Sequence, residues 1–201
     1  MPQSIGLAES KIWSVDIDGA VSLNPALQAS IASILESGPC NSLAYGSQTA
    51  SILQRQDDEP WPKFFDQVRA AIGAISEQEG AGLDEGAVAI RAWGSVLESD
   101  DTHRRDFAAN RLHDHAPAWL SAVYCVSDGG AEGSGTQFVA PIADPFRARP
   151  RTLVAKSIPG RLLVFAGDLV HMPYFEGEAR MTGPRCMIGM DFHYTPDEMG
   201  A

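Results

Sequence analysis

The chain has 201 residues, with 15 Lys and Arg against 26 Asp and Glu, giving a formal charge of −11. That length suits one domain with one substantial core, and 44% hydrophobic with 20% charged residues is the composition of a globular protein in water. The acidic balance and the lack of a basic run argue against a grip on nucleic acid, which needs clustered Lys and Arg against phosphates; the densest basic group, Arg147, Arg149 and Arg151, falls in loop-like sequence.

No apolar stretch approaches the ~20 residues of a bilayer span, and Met1-Pro2-Gln3-Ser4 lacks the layout of a signal peptide. Cys40, Cys125 and Cys186 are odd in number and far apart, which suits neither a disulfide framework nor a metal clip. Cys125 and Cys186 sit in apolar, strand-like sequence and are expected as buried thiols. A cytoplasmic, reducing location with no membrane partner is the expectation.

In chain order, Lys11–Asp16 suggests a short strand. In "LNPALQASIASILESGP", Asn24 is a candidate N-cap and Pro25 fits a first helical position. Leu23, Leu27, Ile31, Ile34 and Leu35 then keep helical spacing up to Gly38-Pro39. A second helix is expected from Pro60 to about Glu79, with Trp61, Phe64, Phe65, Val68, Ile72 and Ile75 on one face. Both stripes are packing faces.

After Gly86 the sequence turns β-branched and aromatic, broken by Gly, Pro and Asp. Strands are expected at Ala87–Leu97, Trp119–Val126, Gln137–Ala140, Thr152–Lys156, Arg161–Phe165, Val170–Tyr174 and Arg185–His193. Turn signals at 127–130, Pro159-Gly160 and Gly183-Pro184 separate them. Short strands at this spacing suggest a barrel or sandwich. The expected organisation is one domain, with a helical N-terminal part (1–86) packed on a β core (87–201).

The chemistry begins at His113-Asp114-His115. In extended chain, residues i and i+2 share a face, so the two imidazoles form a bidentate clip while Asp114 points away; the alternative is a polar turn. A third donor is His171, after the strand at Leu162–Phe165 and the turn at Gly167-Asp168. His103, among charges, and His193, at a strand end, are weaker candidates. In "RCMIGMDF", alternation puts Arg185, Met187, Gly189 and Asp191 on one face and Cys186, Ile188, Met190 and Phe192 on the other. A buried arginine must be paired, and its natural partner is a carboxylate: Asp191, Asp168 or that of a ligand.

The order is His113-x-His115, then 56 residues on His171, then 14 on Arg185. It resembles the Fe(II)- and 2-oxoglutarate-dependent oxygenases, whose pattern is His-x-Asp/Glu, a distal His and an Arg soon after. The closer resemblance is to a bacterial and phage oxygenase family with paired histidines before a "SGVYYV"-like strand. Here that stretch reads "HDHAPAWLSAVYCV", followed by "PGRLLVFAGDLVH" and "RCMIGMDF", with "YGSQTASIL" matching an upstream Gly-Trp-Gln segment. The likeness covers most of the chain. Ala166 replaces a family proline, Met187 a serine, and His115 stands where the carboxylate ligand usually does.

The resemblance implies a mainly β fold with N-terminal helices: a double-stranded β-helix (jelly-roll) barrel packed by helices. It implies Fe(II) held by His113, His115 and His171, and 2-oxoglutarate bound by Arg185 with a hydroxyl from Tyr124 or Ser121. The implied activity is that of a hydroxylase acting on a small molecule or a protein side chain, with a homodimer as one assembly. The three-histidine set also resembles cupin-type dioxygenases that use no 2-oxoglutarate, and a jelly-roll binding module without catalysis is the non-enzyme alternative. Trp93 and Trp119 would line the substrate side or pack in the core. The Gly129–Gly135 segment would be a lid or a solvated turn, and Asn110 a support for a ligand histidine or a turn residue.

Overall fold

Side chains alternate in and out along a strand, so each strand here is assigned to its layers by which alternate set is buried. The computed structural model describes residues 10–38, 40–43, 46–80, 88–97, 112–131, 133–140, 151–175 and 181–194. Their strands are β1 (Ile12–Asp16), β2 (Cys40–Leu43), β3 (Gly46–Thr49), β4 (Val88–Leu97), β5 (Leu120–Asp128), β6 (Ser134–Val139), β7 (Thr152–Lys156), β8 (Arg161–Ala166), β9 (His171–Phe175) and β10 (Arg185–Tyr194). Two helices, α1 (Ala20–Ser37) and α2 (Trp61–Gln78), and a short 3-10 turn at Leu53–Arg55 accompany them.

The strands form a larger sheet in the order β1-β8-β5-β10-β4-β3-β2 and a smaller one in the order β7-β6-β9. Neighbouring strands run antiparallel throughout. One face of the larger sheet carries Leu120, Ala122 and Tyr124 of β5, Leu162 and Val164 of β8, and Ile188, Met190 and Phe192 of β10. The helices bury this face with Leu27 and Ile31 of α1 and Phe64, Val68 and Ile72 of α2. The other face meets the smaller sheet, where Leu163 and Phe165 close on Phe138 and Leu169. Two antiparallel sheets face to face, with helices against the larger one, are the expected jelly roll packed by helices.

The second helix and the seven later strands lie where periodicity puts them, with end shifts of a few residues. The first helix does not. It starts at Ala20, because Gly19 takes the left-handed conformation (φ +68°) at its N-cap and its carbonyl accepts the Ser22 and Leu23 amides. Asn24 is therefore a buried residue inside the helix rather than a cap, and Pro25 is also internal. The Asn24 amide donates to Val126 O at 2.9 Å, and its Oδ1 accepts the Tyr124 hydroxyl at 2.5 Å. The β2–β3 hairpin has no counterpart in the sequence expectation; it extends the larger sheet by pairing β3 with β4. Of the Gly129–Gly135 segment, Ser134 and Gly135 belong to β6, and Gly129 O accepts the Thr182 and Gly183 amides.

Candidate metal centre

Three imidazoles meet at one end of the smaller sheet. β9 opens on His171, and the buried Leu169 just before it anchors the turn from β8. His171 is 4% exposed. Burial, foremost, pushes its pKa down to about 4, with His113 and His115 acting the same way; the Leu169 carbonyl and Asp191 oppose the shift. The ring is thus neutral at pH 7. Its Nδ1 lies 2.9 Å from Leu169 O, and a carbonyl only accepts, so Nδ1 carries the proton and Nε2 offers its lone pair.

His113 joins His171 through the main chain. Each residue's amide donates to the other's carbonyl, at 3.1 and 2.9 Å, in an isolated antiparallel bridge. The His115 amide donates to Gly167 O at 2.7 Å, so the 113–115 segment lies against the β8–β9 turn. The approach is close enough that a Cβ on Gly167 would sit 2.0 Å from Ala118 O. The potential ligand atoms of His113, His115 and His171 all lie within 4.8 Å of one another. The His115 and His171 rings are near-parallel, 5.1 Å apart at their centroids, and His113 is 4.5 Å from His171. Asp114 stands outside: it is exposed, and its Oδ1 accepts the Ala116 amide at 3.1 Å.

His115 has a carboxylate behind it. Its Nδ1 is 3.0 Å from Asp191 Oδ1, which also accepts the Ser121 hydroxyl at 2.9 Å. Trp93 stacks on the His115 ring at 5.5 Å and 21°. Across the ladder, Trp93 pairs with Gly189, and a Cβ there would meet the indole at 2.5 Å.

The inward face of β9 leads from His171 to Arg185. His171 and Phe175 share a face of β9, four residues or about 13 Å apart along the strand. The Arg185 guanidinium lies over the Phe175 ring at 5.3 Å. It is 2% exposed and donates from Nη2 to Ser157 Oγ at 3.0 Å and Gly135 O at 3.3 Å. Neither Asp191 nor Asp168 pairs with it among the described residues, and burial pushes its pKa down to about 10. Among the described residues its Nε has no hydrogen-bond partner, nor has the buried Ser134 Oγ on the β6 strand beside it. Thr136, buried on the same face of β6, stands between these groups and the histidines.

Two hydroxyls expected near Arg185 are elsewhere. Tyr124 faces the helices, tilted against the Phe64 ring and bonded to Asn24. Ser121 faces inward but serves Asp191. His193 is not in the histidine cluster, and Trp119 packs on Tyr194, 38% exposed. His103 and Asn110 lie outside the described residues. The contacts of Asp191 with His115 and of Ser157 with Arg185 went unread; only Asp191 had a sequence signal, its place on the Arg185 face of β10.

No family model matches the sequence, and no curated protein matches it. Solved structures do match. A protein from Micromonospora carbonacea var. aurantiaca, EvdO2, superposes with a TM-score of 0.61 at 13% identity, covering 96% of this chain and 89% of that one. The non-heme alpha ketoglutarate dependent epimerase SnoN from nogalamycin biosynthesis gives 0.59 at 13% identity, over 94% and 84%. A Pseudomonas putida prolyl-4-hydroxylase gives 0.56 at 16% identity, over 93% and 95%. What these proteins share with this chain is its fold, the double-stranded β-helix.

Proposed function

We propose that this chain is a non-haem Fe(II) oxygenase that uses 2-oxoglutarate and hydroxylates a small molecule or a protein side chain. One observation carries the proposal: the ligand atoms of three imidazoles converge, and the same barrel buries a guanidinium that no carboxylate hydrogen-bonds among the described residues. Support also comes from the fold shared with an alpha ketoglutarate dependent epimerase and a prolyl-4-hydroxylase.

The donor set fits the groups it would hold. Imidazoles suit divalent iron, and His171 presents a neutral ring with Nε2 free for a metal. The unpartnered Arg185 Nε and Ser134 Oγ are two buried donors that a carboxylate would satisfy. When bound, iron and 2-oxoglutarate would supply the oxidising chemistry, coupling decarboxylation of the oxo acid to insertion of oxygen into substrate. The chain's own part is to bind and orient. His113, His115 and His171 would hold the metal, Arg185 would fix the far carboxylate of the cosubstrate with Ser134 beside it, and Trp93 would wall the site at His115. The reading includes a reducing, cytoplasmic setting, supported by three free cysteines, and one domain, supported by the core that helices and strands share. No described helix is long and apolar enough to cross a membrane.

A three-histidine dioxygenase without 2-oxoglutarate is the second reading, favoured by an imidazole, His115, in place of a carboxylate ligand. Anaerobic titration of the Fe(II) protein with 2-oxoglutarate separates the two. The proposal expects a visible metal-to-ligand band and stoichiometric binding heat, both abolished by Arg185→Met and both retained by Tyr124→Phe. Stoichiometric iron without band or heat supports the second reading, and no stoichiometric iron sinks both.

A further inference from the structure

Asp191 holds a carboxylate against one of the three imidazoles. It does not join the cluster of candidate ligand atoms. Its Oδ1 lies 3.0 Å from His115 Nδ1 and accepts the Ser121 hydroxyl at 2.9 Å. The side chains of His115 and Asp191 are 17% and 15% exposed, so water screens this pair less than it would a surface pair. A carboxylate accepts from an N–H and does not donate, so His115 is held with its proton on Nδ1 and its lone pair on Nε2. Strand parity sets this up: Asp191 shares the inward face of β10 with Gly189 and Arg185, and β5 presents Ser121 directly opposite it.

We propose that Asp191 is the positioning residue of the metal centre. It supplies through His115, from outside the ligand set, the negative charge that a carboxylate ligand would supply directly. The inference rests on the metal-site reading above. Two neutral imidazoles and a carboxylate would leave a divalent ion with one net positive charge, whereas three neutral imidazoles leave it with two. A carboxylate hydrogen-bonded to the far nitrogen of one imidazole makes that ring more basic and returns negative charge to within one ring of the ion. Ser121 orients the carboxylate in turn, so its hydroxyl belongs to this relay and not to cosubstrate binding. His171, by contrast, is oriented by a neutral carbonyl, so of these two rings His115 is the one backed by a carboxylate.

Co(II) is the probe, read by calorimetry and by its visible spectrum. Wild-type protein should bind one equivalent. Asp191→Ala should weaken Co(II) by about 10–100-fold, the usual cost of losing such a partner. Asp191→Asn keeps an acceptor but loses the charge and should fall between, while Ser121→Ala should cost less than either. In ¹⁵N-labelled Zn(II) protein, the slowly exchanging His115 Nδ1–H should vanish in Asp191→Ala and that of His171 should remain, a signature a merely structural role for Asp191 would not produce. Asp191→Ala protein that binds Co(II) as tightly as wild type overturns the proposal. If Asp191→Ala does not fold, Asp191→Asn decides alone, and wild-type affinity there overturns the charge assignment. Wild-type protein that takes up no Co(II) fails at the metal site itself, which distinguishes that failure from an error about Asp191.

Discussion

Cys125 and Cys186 sit on adjacent strands of the larger sheet, each nearly sealed from water at 2% and 0% exposure. Burial is the main force on both thiols and pushes each from an ordinary 9.0 up to about 12. The thiolate is the reactive form, so both are inert in the folded protein, whereas Cys40 is exposed. The native protein at pH 8 should give one thiol to a disulfide reagent, three after denaturation, and none natively in Cys40→Ser; native titration of all three would contradict the burial. The same shifts act on stability. A folded-state pKa above the unfolded one means that ionisation favours the unfolded chain. Stability is intact below about pH 9 and should decline as pH climbs towards 12, with the Tyr124 phenol, also raised by burial, adding to the loss.

Strands β4 and β10 meet along ten residue pairs, and the Trp93–Gly189 pair ties that ladder to the metal centre. The indole lies where a side chain at Gly189 would be, and it stacks on His115. Gly189→Ala should therefore overpack this point and cost about 1–3 kcal/mol, read as a lower urea midpoint. Adding Trp93→Phe should recover most of the loss; if the double variant is no more stable than Gly189→Ala, the indole is not the obstacle. The same ladder shows what was readable in advance. Alternation in "RCMIGMDF" assigned the first eight residues of β10 to their faces, Asp191 included, because burial there is two-sided. Parity also carried a warning on β5: Ser121 and Tyr124 are three residues apart, so one of them had to face the helices. The hairpin of Cys40–Leu43 and Gly46–Thr49 was illegible because short segments with one β-branched residue, Thr49, and no apolar alternation become strands only by pairing, here with β4. The start of α1 was misread because Asn24 carries a strong local capping signal, yet its amide is used across the core on Tyr124 and Val126.

Across the whole molecule, the candidate centre draws on pieces far apart in sequence and on both sheets. His171 opens β9 of the smaller sheet, His113 and His115 lie on a segment pinned to it, and Asp191 backs His115 from β10 of the larger sheet. Sequence order pointed to the three histidines and Arg185, since the spacing of one clip and two distal residues survives in one dimension. What surrounds them, Ser157 and Gly135 on the guanidinium and Trp93 on His115, is set by strands from different parts of the chain and has no one-dimensional signature. A metal ion at this point would bind the folded chain far better than the unfolded one, which leaves residues 115 and 171 far apart, and so would clamp the 113–115 segment to β9. Ligand at 100 times its Kd adds about 2.7 kcal/mol to the folded state. For a chain of this size each kcal/mol raises Tm by about 2–4 °C. Saturating Co(II) should therefore raise Tm by about 5–11 °C, a chelator should reverse the rise, and His171→Ala should show none. His171 is the right residue to remove: His113 depends on it for both main-chain bonds of the bridge, which alanine keeps, so the variant loses the donor without losing the frame. An equal rise in His171→Ala would mean that Co(II) stabilises the protein from some other place.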